Sequence, residues 1–420
     1  MQGKRIYRKY KPEVVGITGS VGKTGAKEAV YAVLKNKFSV RRSIKNYNNE
    51  IGLPLTLIGE EAKGKDIFGW LKVFNRGESL IINRDKNYPK ILVLEMGADK
   101  PGDIEYLLKI VQCKVGIITR IGEAHLEAFK TIDRIKKEKA LIVKELEKTN
   151  WAVLNFDDER VKEIAKEVKA NYISYGVKEK ADLQATDITI QKVNSQSGKT
   201  GDYGISFKMR YKGAAVPVIL EGIISRSAVY ACLAGAAVGI IYGMNLIEIS
   251  DALKNYKNPK GRMNIIPGVK GTTILDDTYN SSPQSSLEAL EVLAGLEPEI
   301  KAHRYAVFGD MLELGDYTEA GHREVGERAA ELKIDYLIVL GERSRDISRG
   351  AELAGMNDDY IFHFSDNQTA SVFIKERIKK GDIILAKGSQ LARMEKVVKE
   401  LMADPLRAGE LLVRQDAEWN

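Results

Sequence analysis

The sequence predicts an α/β protein in which a mostly parallel sheet domain is followed by a second, smaller, doubly wound α/β domain. Short β-branched runs alternate with helical patterns through most of the chain, which is typical of parallel strands with helices on both faces of the sheet. The alternation stops near residue 181 and resumes after residue 260, so we expect two separate sheets. A length of 420 residues also exceeds that of one ordinary domain.

The first β-branched run, at 14–18, breaks into a glycine turn with the layout of a phosphate-binding loop. Residues 16–24 are Gly-Ile-Thr-Gly-Ser-Val-Gly-Lys-Thr, and a helix is predicted over 26–34. In such a loop the backbone N–H groups and the helix N-terminus face the anion, the lysine reaches the outer phosphates and the threonine hydroxyl holds Mg²⁺. The first domain is therefore predicted to be P-loop-containing, with a nucleoside triphosphate bound by Thr18, Gly19, Ser20, Val21, Gly22, Lys23 and Thr24.

The spacing of this loop is a tighter variant of the P-loop pattern. Ile17 stands where the standard pattern has its first glycine. An ordinary strand-turn-helix with a chance Gly-Lys-Thr is the alternative interpretation.

Composition and charge are those of a soluble globular protein, with 44% hydrophobic and 29% charged residues. The net charge is +7, but no basic stripe is interleaved with aromatic residues, so no nucleic-acid partner is expected. Cys113 and Cys232 lack metal-ligand spacing and form no disulfide framework, which favours a reducing cytoplasm. The N-terminal residues lack the apolar core of a signal peptide, and we expect no stable membrane insertion.

Polar residues follow three more predicted strands of the first domain. The runs at 91–94, 115–119 and 151–154 precede Glu95, a loop with His125, and Asn155 with Asp157, respectively. Open α/β sheets bind ligands at the carboxyl ends of their strands, so Glu95 is expected to bind Mg²⁺ directly or through water. A surface carboxylate that caps the next turn is the alternative for Glu95. For His125, a structural role and a ligand role are equally compatible with the sequence.

Five other segments complete the predicted first domain. Helices are predicted over 102–111 and 132–146, and the lysine-rich run around Lys139 in the second of them predicts a solvated face. The apolar, aromatic segment 67–82 predicts an amphipathic helix docked on the core. Residues 181–224 predict antiparallel hairpins, and the uncharged run 228–244 predicts a buried helix packed against a sheet.

The second domain is predicted to begin after a linker at 255–260, which gives domain boundaries of 1–258 and 259–420. No Gly-x-Gly-x-x-Gly fingerprint occurs in it, so a dinucleotide is not implied. Its predicted strands are 272–275, 305–308, 336–340 and 383–386, and its predicted helices are 284–296, 319–332 and 368–379. Polar loops follow the strands at 276–283, 309–315 and 387–389, where ligand contacts and plain turn chemistry are both compatible with the residues.

Seven motifs, in family order and spread over nearly the whole chain, resemble those of the Mur ligase family. They are Gly-Ile-Thr-Gly-Ser-Val-Gly-Lys-Thr at 16–24, Asn-Tyr-Asn-Asn-Glu-Ile-Gly-Leu-Pro-Leu-Thr at 46–56, Leu-Glu-Met-Gly at 94–97, His-Leu-Glu-Ala-Phe at 125–129, Asp-Asp-Thr-Tyr-Asn-Ser-Ser-Pro at 276–283, Gly-Asp-Met-Leu-Glu-Leu-Gly at 309–315 and Lys-Gly-Ser at 387–389.

The resemblance implies an ATP- and Mg²⁺-dependent ligase that forms an amide bond through an acyl phosphate and releases ADP and phosphate. The motifs at 46–56 and 309–315 point to the family member that joins D-alanyl-D-alanine to UDP-N-acetylmuramoyl-tripeptide in peptidoglycan precursor synthesis. These two small molecules are the partners that the resemblance implies, and we expect a monomer.

The resemblance also assigns roles by motif. Catalytic roles fall to Lys23, Glu95, His125 and Lys139, and Mg²⁺ would be bound by Thr24, Glu95, His125 and Lys139, the last as a carbamylated lysine. In the second domain, ATP would be contacted by Arg262, Asp277 and Asn280. The acceptor peptide would lie near Asn46, Asn48 and Asn49.

The sequence departs from the family in three respects. Gly25 and Ala26 follow the Lys-Thr pair where the family usually has a hydroxyl residue, and Ser227 stands where an adenine-contacting start to the next helix is usual. The first predicted strand begins at Val14, so we expect the family's amino-terminal UDP-sugar domain to be absent. The alternatives are a ligase of the same chemistry with another carboxylate acceptor, of the folyl-polyglutamate or amino-acid polymer type, and a nucleotide-binding regulatory protein without ligase turnover.

Overall fold

The computed structural model describes residues 2–43, 47–122, 126–192, 203–296, 301–415 and 419, with the side chains of 126 and 127 excluded. Within these residues the strands form one nine-stranded and one six-stranded sheet. This arrangement confirms the predicted fold class of two mostly parallel α/β sheets.

The nine-stranded sheet has the order β2-β3-β1-β4-β5-β6-β7-β8-β9, and every registered pair from β2 to β7 is parallel. The central strand β1 is buried along nearly its whole length, as expected for a β-branched run with helices on both faces. The strands are β1 Glu13–Thr18, β2 Val40–Arg42, β3 Ile91–Glu95, β4 Val115–Ile118, β5 Trp151–Asn155, β6 Asn171–Gly176, β7 Leu183–Lys192, β8 Tyr203–Tyr211 and β9 Ala214–Glu221.

Ten α-helices accompany these strands among the described residues. They are α1 Gln2–Tyr10, α2 Lys23–Leu34, α3 Gly52–Ile58, α4 Ile67–Ile82, α5 Asp103–Leu108, α6 Leu126–Phe129, α7 Ile132–Lys144, α8 Glu159–Ala165, α9 Arg226–Ile241 and α10 Leu246–Leu253. The predicted helix over 67–82 is confirmed as α4, and the predicted buried helix at 228–244 is confirmed as α9, whose middle residues are buried all round.

Helix α1 was not predicted from the sequence. Its nine residues bury only Gly3 and Ile6, so its apolar signal is weak. Ile6 belongs to a small core with Leu55 and Ile58 of α3 and with Val73 and Leu80 of α4. The helix is therefore stabilised by tertiary packing, which a sequence pattern of this length does not reveal.

The six-stranded sheet has the order β10-β11-β15-β12-β13-β14, in which only β10 pairs antiparallel with its neighbour among the registered pairs. Its strands are β10 Asn264–Pro267, β11 Thr273–Asp277, β12 Arg304–Gly309, β13 Tyr336–Leu340, β14 Ile361–Phe364 and β15 Ile383–Lys387. Its helices are α11 Pro283–Gly295, α12 Thr318–Glu331, α13 Arg345–Leu353, α14 Asn367–Arg377, α15 Glu395–Leu401 and α16 Ala408–Leu411. All four strands and three helices predicted for this region are present.

The chain divides into two compact units. The first contains residues 1–188, 206–219 and 226–257, and the second contains 189–205, 220–225 and 258–420. The last change from the first unit to the second, at 257/258, lies next to the boundary predicted at 258/259. Two shorter segments, 189–205 and 220–225, also group with the second unit although they precede this boundary.

No helix among the residues that the structure describes is long and apolar enough to cross a lipid bilayer.

Helix α9 packs closely on α2 because glycine removes a side chain at the crossing point. A Cβ atom at Gly235 would lie 2.8 Å from the carbonyl carbon of Ala29, a distance that side chains do not reach without backbone movement.

We expect Gly235→Ala to lower the free energy of unfolding of the first unit by about 1–3 kcal/mol through overpacking, despite the better helix propensity of alanine. Urea-induced unfolding followed by circular dichroism measures this change.

Gly295→Ala is the matched control. It also replaces a helical glycine, but nothing lies within 4 Å of the added carbon. Equal effects of the two substitutions on unfolding would contradict the close packing at Gly235.

Candidate functional site

The loop after β1 is held by hydrogen bonds to the end of β4. Thr119 Oγ1 lies 2.6 Å from the carbonyl oxygen of Val21, and the hydroxyl and backbone N–H of Ser20 bond to Gly122 and Arg120, respectively. Gly19 adopts φ +148°, and a Cβ there would lie 2.0 Å from Thr119 Oγ1. The loop conformation therefore requires glycine at position 19.

The loop ends at the N-terminus of α2. Gly22 is the N-cap with φ +88°, a left-handed conformation, and no described side chain caps the helix. A helix N-terminus that has no side-chain cap and is entered through a glycine turn is the arrangement of a phosphate site. Lys23 Nζ bonds to the carbonyl oxygen of Gly19 at 2.8 Å, so the ammonium group lies over the same loop.

Glu95 lies at the carboxyl end of β3 and is 2% exposed. Its Oε2 accepts a hydrogen bond from Thr24 Oγ1 at 3.1 Å and lies 3.7 Å from Lys27 Nζ, and its Oε1 lies 3.4 Å from Asn48 Nδ2. The alternative of a surface carboxylate is wrong, because the side chain is buried. Thr24 and Glu95 present two adjacent hard oxygen donors, the ligand type that Mg²⁺ prefers.

Lys139 is buried in α7, with 2% exposure, so the solvated face predicted for it is wrong. Burial and, to a smaller extent, the positive charge of Lys23 lower its pKa to about 8, against the opposing effect of Asp99 and Glu138. The neighbouring Glu138 carboxylate accepts hydrogen bonds from the backbone N–H groups of Gly102 and Ile104 at the start of α5. With a pKa of about 8, about a tenth of Lys139 is a neutral, nucleophilic amine at pH 7.

Two predicted site residues, Asn46 and His125, lie outside the described residues. Asn48 contacts Glu95, and its own carbonyl oxygen accepts a bond from Gly97 N–H at 2.8 Å. Asn49 Oδ1 accepts from the N–H of Gly52 at 2.9 Å, so this side chain starts helix α3. Within the described part of the chain no group of three His, Cys, Asp or Glu residues is arranged to hold a metal ion.

In the second unit, the buried Lys387 forms an ion pair with the partly buried Asp277 at the ends of the adjacent strands β11 and β15. Lys387 Nζ lies 2.6 Å from Asp277 Oδ2 and 3.0 Å from the carbonyl oxygen of Asn280. The other carboxylate oxygen of Asp277 accepts from Met263 N–H at 3.1 Å. The Arg262 guanidinium lies over the Tyr279 ring at 4.1 Å. The three residues predicted to contact ATP are therefore clustered around one strand end.

Asp276, next to this pair, is fully buried, and its Oδ2 has no hydrogen-bond partner among the described residues. Burial raises its pKa to about 7, and the nearby negative charges of Asp277 and Glu395 act in the same direction. The bond from the Thr278 hydroxyl to Oδ1, at 2.6 Å, opposes this shift.

Sequence reasoning missed three residues that the structure places in these clusters. Lys27 is 1% exposed beside Glu95, Thr119 holds the P-loop, and Lys387 pairs with Asp277. The four-residue spacing between Lys23 and Lys27 puts both on one helical face, which is a signal for Lys27. Lys387 was noted only as part of a polar loop, and nothing local in the sequence singles out Thr119.

Two protein families match this chain. Residues 17–68 and 77–216 match the family described as Mur ligase middle domain, and residues 261–390 match the family described as Mur ligase, glutamate ligase domain. The middle-domain match leaves out residues 69–76, which lie within α4.

Curated relatives and solved structures agree with these families. The chain is 30% identical to the UDP-N-acetylmuramoyl-tripeptide–D-alanyl-D-alanine ligase of Bacillus subtilis over 94% of its own length and 76% of the relative's, and 29% identical to that of Escherichia coli over 92% and 76%. A crystal structure of MurF from Acinetobacter baumannii superposes with a TM-score of 0.77 at 26% identity, covering 96% of this chain and 79% of that one. MurF from Thermotoga maritima in complex with ADP superposes with 0.73 at 29% identity, covering 95% and 81%.

The buried carboxyl of Asp276 predicts a pH-dependent stability of the second unit. Its pKa is about 7 in the folded chain and near the ordinary value of 3.8 in the unfolded chain, so the folded state binds more protons between these values. Stability from this group is therefore present below pH 4 and is lost as the pH rises to 7. We expect Asp276→Asn to reduce this loss and to raise the midpoint of thermal unfolding more at pH 8 than at pH 5.

The exposed Asp358→Asn serves as the control for removal of a charge. Calorimetric scans at pH 5 and pH 8 give the midpoints. Parallel pH profiles for the wild type and Asp276→Asn would show that Asp276 does not titrate in this range.

Proposed function

Because the chain belongs to the Mur ligase family, we propose that it joins D-alanyl-D-alanine to UDP-N-acetylmuramoyl-tripeptide in peptidoglycan precursor synthesis. The proposal rests on the loop of residues 18–24, with the buried side chains of Glu95 and Lys139 close to Thr24 and Lys23, respectively. It also rests on the curated relatives, which bear the name of this ligase. We place the enzyme in the cytoplasm as a monomer that acts on small molecules.

The reaction couples amide formation to ATP cleavage. A carboxylate oxygen of the tripeptide attacks the γ-phosphorus of ATP, and ADP leaves with the electron pair of the broken P–O bond. The amine of D-alanyl-D-alanine then adds to the acyl carbon and gives up a proton, and inorganic phosphate leaves as the amide forms. Such chemistry depends on orientation and on neutralisation of phosphate charge more than on covalent work by side chains.

The first unit contains the groups for this task. The N–H groups at the start of α2 and the Lys23 ammonium bind and orient the phosphates. Thr24 and Glu95 fit Mg²⁺ because they offer two oxygens 3.1 Å apart at the mouth of the loop, and the ion supplies neutralisation of phosphate charge. Lys27 pairs with the Glu95 carboxylate and holds it in place.

Lys139 is proposed to carry a carbamate. Its neutral amine would add to CO₂, with loss of one proton, and the resulting carboxylate would convert a buried cation into an oxygen ligand for a metal ion. The lowered pKa supports this assignment, because a protonated amine is not nucleophilic. His125 is proposed as a further ligand of this site.

The remaining assignments follow the motifs. Arg262, Asp277 and Asn280 are proposed to contact ATP, since all three surround the end of β11. Asn46, Asn48 and Asn49 are proposed to lie near the acceptor peptide, with Asn48 linked to Glu95 by its side chain.

The first prediction from this proposal concerns turnover. We expect phosphate release from ATP and Mg²⁺ only when UDP-N-acetylmuramoyl-tripeptide and D-alanyl-D-alanine are both present, with the amide product seen by mass spectrometry. Lys23→Ala is expected to lower kcat by at least about 100-fold, because an interaction made with transferring phosphate is lost. The exposed Lys148→Ala is the control.

Other outcomes of this assay point elsewhere. Turnover with a different carboxylate, such as a folyl-polyglutamate or an amino-acid polymer, would replace the proposed acceptor. ATP binding without amine-dependent turnover would instead indicate a regulatory protein.

The second prediction concerns Lys139. Lys139→Ala is expected to lower activity on the order of 100-fold, with partial recovery when a short carboxylic acid such as acetate is added, because the acid replaces the lost carboxylate. Lys137→Ala, an exposed lysine on the same helix, is expected to keep full activity without acetate dependence. Full activity of Lys139→Ala would contradict the assignment.

A further inference from the structure

Helix α4 exposes an apolar stripe to solvent. Ile67, Phe68, Leu71, Phe74 and Ile82 are each between 52% and 78% exposed. They are five of the seventeen large hydrophobic side chains that are exposed among the described residues, yet α4 has only 16 residues. At 3.6 residues per turn, positions 67, 71, 74, 78 and 82 fall along one line of the helix, which is about 24 Å long. All of them except Glu78 are apolar.

The opposite face of α4 is the one that packs on the first unit. Val73 and Leu80 are buried in the core with Ile6 of α1, and Gly69 and Gly77 permit close approach. The outer stripe is therefore additional to the apolar face that docks the helix. A helix that is apolar on both faces is normally covered on both, so the outer face requires an occupant.

Helix α1 lies along one side of α4 and holds it in place. Lys9 Nζ bonds to the carbonyl oxygens of Leu80, Ile81 and Asn83 at 2.7–3.0 Å, which caps the last turn. Gln2 bonds to Glu78 at 2.8 Å, and Arg5 lies 3.9 Å from the same carboxylate. Glu78 is the only acidic residue within α4, and these contacts turn its charge toward α1.

The surroundings of the stripe are strongly basic. Residues 1–12 and 62–90 contain twelve Lys or Arg and three Asp or Glu, a formal charge of +9, whereas the whole chain is at +7. The remainder of the chain is therefore at −2. Exposed cations lie on several sides of the stripe, with Lys65 before α4, Lys72 on α4, Arg84 and Lys86 after it and Arg5 and Arg8 on α1. Arg76 is instead paired with Asp85 at 2.8 Å.

We propose that this face of α1 and α4 binds the surface of an anionic lipid bilayer, with the stripe of α4 inserted among the lipid chains and the surrounding Lys and Arg on the headgroups. Exposed Phe, Leu and Ile side chains bordered by cations are the pattern of a helix that lies in the plane of the membrane interface. The apolar stripe together with a formal charge of +9 favours an anionic lipid surface over a protein partner. A protein interface has few charged residues at its core but does not require an excess of positive charge around it. The family match omits 69–76, which contain Leu71 and Phe74 of the stripe, whereas Ile67, Phe68 and Ile82 lie within the matched residues.

Co-sedimentation of the full chain with vesicles tests the proposal. We expect the bound fraction to be at least about tenfold higher with equal parts phosphatidylglycerol and phosphatidylcholine than with phosphatidylcholine alone, and to fall at about 0.5 M NaCl, which screens the attraction. Phe68→Trp is expected to shift its fluorescence emission to shorter wavelength with the anionic vesicles only, because the indole enters an apolar environment.

The double variant Leu71→Glu/Phe74→Glu is expected to lose binding at least about tenfold while its thermal unfolding stays close to that of the wild type, because both side chains are exposed. Leu353→Glu/Leu406→Glu removes two leucines outside the stripe that are more exposed than Leu71 and Phe74, and it is expected to bind like the wild type. Ligase assays on the same variants separate this proposal from the proposed function, since the stripe contains no residue of the site.

Three results would overturn the proposal. The first is no binding of the wild type to anionic vesicles, and the second is equal binding of the wild type and Leu71→Glu/Phe74→Glu. The third is that the wild type forms a dimer in light scattering, that this dimer does not bind vesicles, and that Leu71→Glu/Phe74→Glu is a monomer. This result would identify a second copy of the chain as the occupant of the stripe.

Discussion

The burial of the Glu95 carboxylate is the constraint on which the first unit depends. A charge removed from water must be paired and hydrogen-bonded, and Thr24, Lys27 and Asn48 provide these contacts. The contacts of Thr24 and Lys27 fix α2 against the end of β3, and hydrogen bonds to Thr119, Arg120 and Gly122 hold the P-loop against the end of β4. The loop is consequently preorganised, with Gly19 and Gly22 in conformations that other residues rarely adopt.

The second unit repeats this logic with a different pair. Asp277 and Lys387 join the ends of β11 and β15, and the ion pair is completed by a carbonyl oxygen and a backbone N–H. Both units therefore place an ion pair at the carboxyl end of a parallel strand, where open α/β sheets bind their ligands. The adjacent Asp276 adds a group whose raised pKa couples the stability of this unit to pH.

Helix α4 forms part of the surface of the first unit and is not part of its candidate active site. A ligase whose substrates are small and polar needs no exposed apolar helix for the reaction, and none of the site residues lies on α4. The glycines on its inner face and the capping contacts of Lys9 and Tyr10 hold the helix rigidly, so that its outer side chains remain fixed toward solvent. An apolar face held in this way with a rim of cations is consistent with reversible binding to an anionic surface.

The sequence by itself determined the alternation of strands and helices in two sheets, the P-loop, the strand-end positions of Glu95 and Asp277, and the family. These features have short-range signals, because glycine geometry, β-branched runs and motif spacing are local properties of the chain. Only the tertiary structure decided that Lys139 is buried with a lowered pKa, that Lys27 and Thr119 belong to the site, and that the Asn49 side chain bonds to the first residue of α3. It also decided that α1 forms and that α4 exposes a second apolar face. The reason is physical. A helical pattern in the sequence predicts which residues share a face of the helix, but contacts between residues far apart in sequence decide which of these faces another element covers.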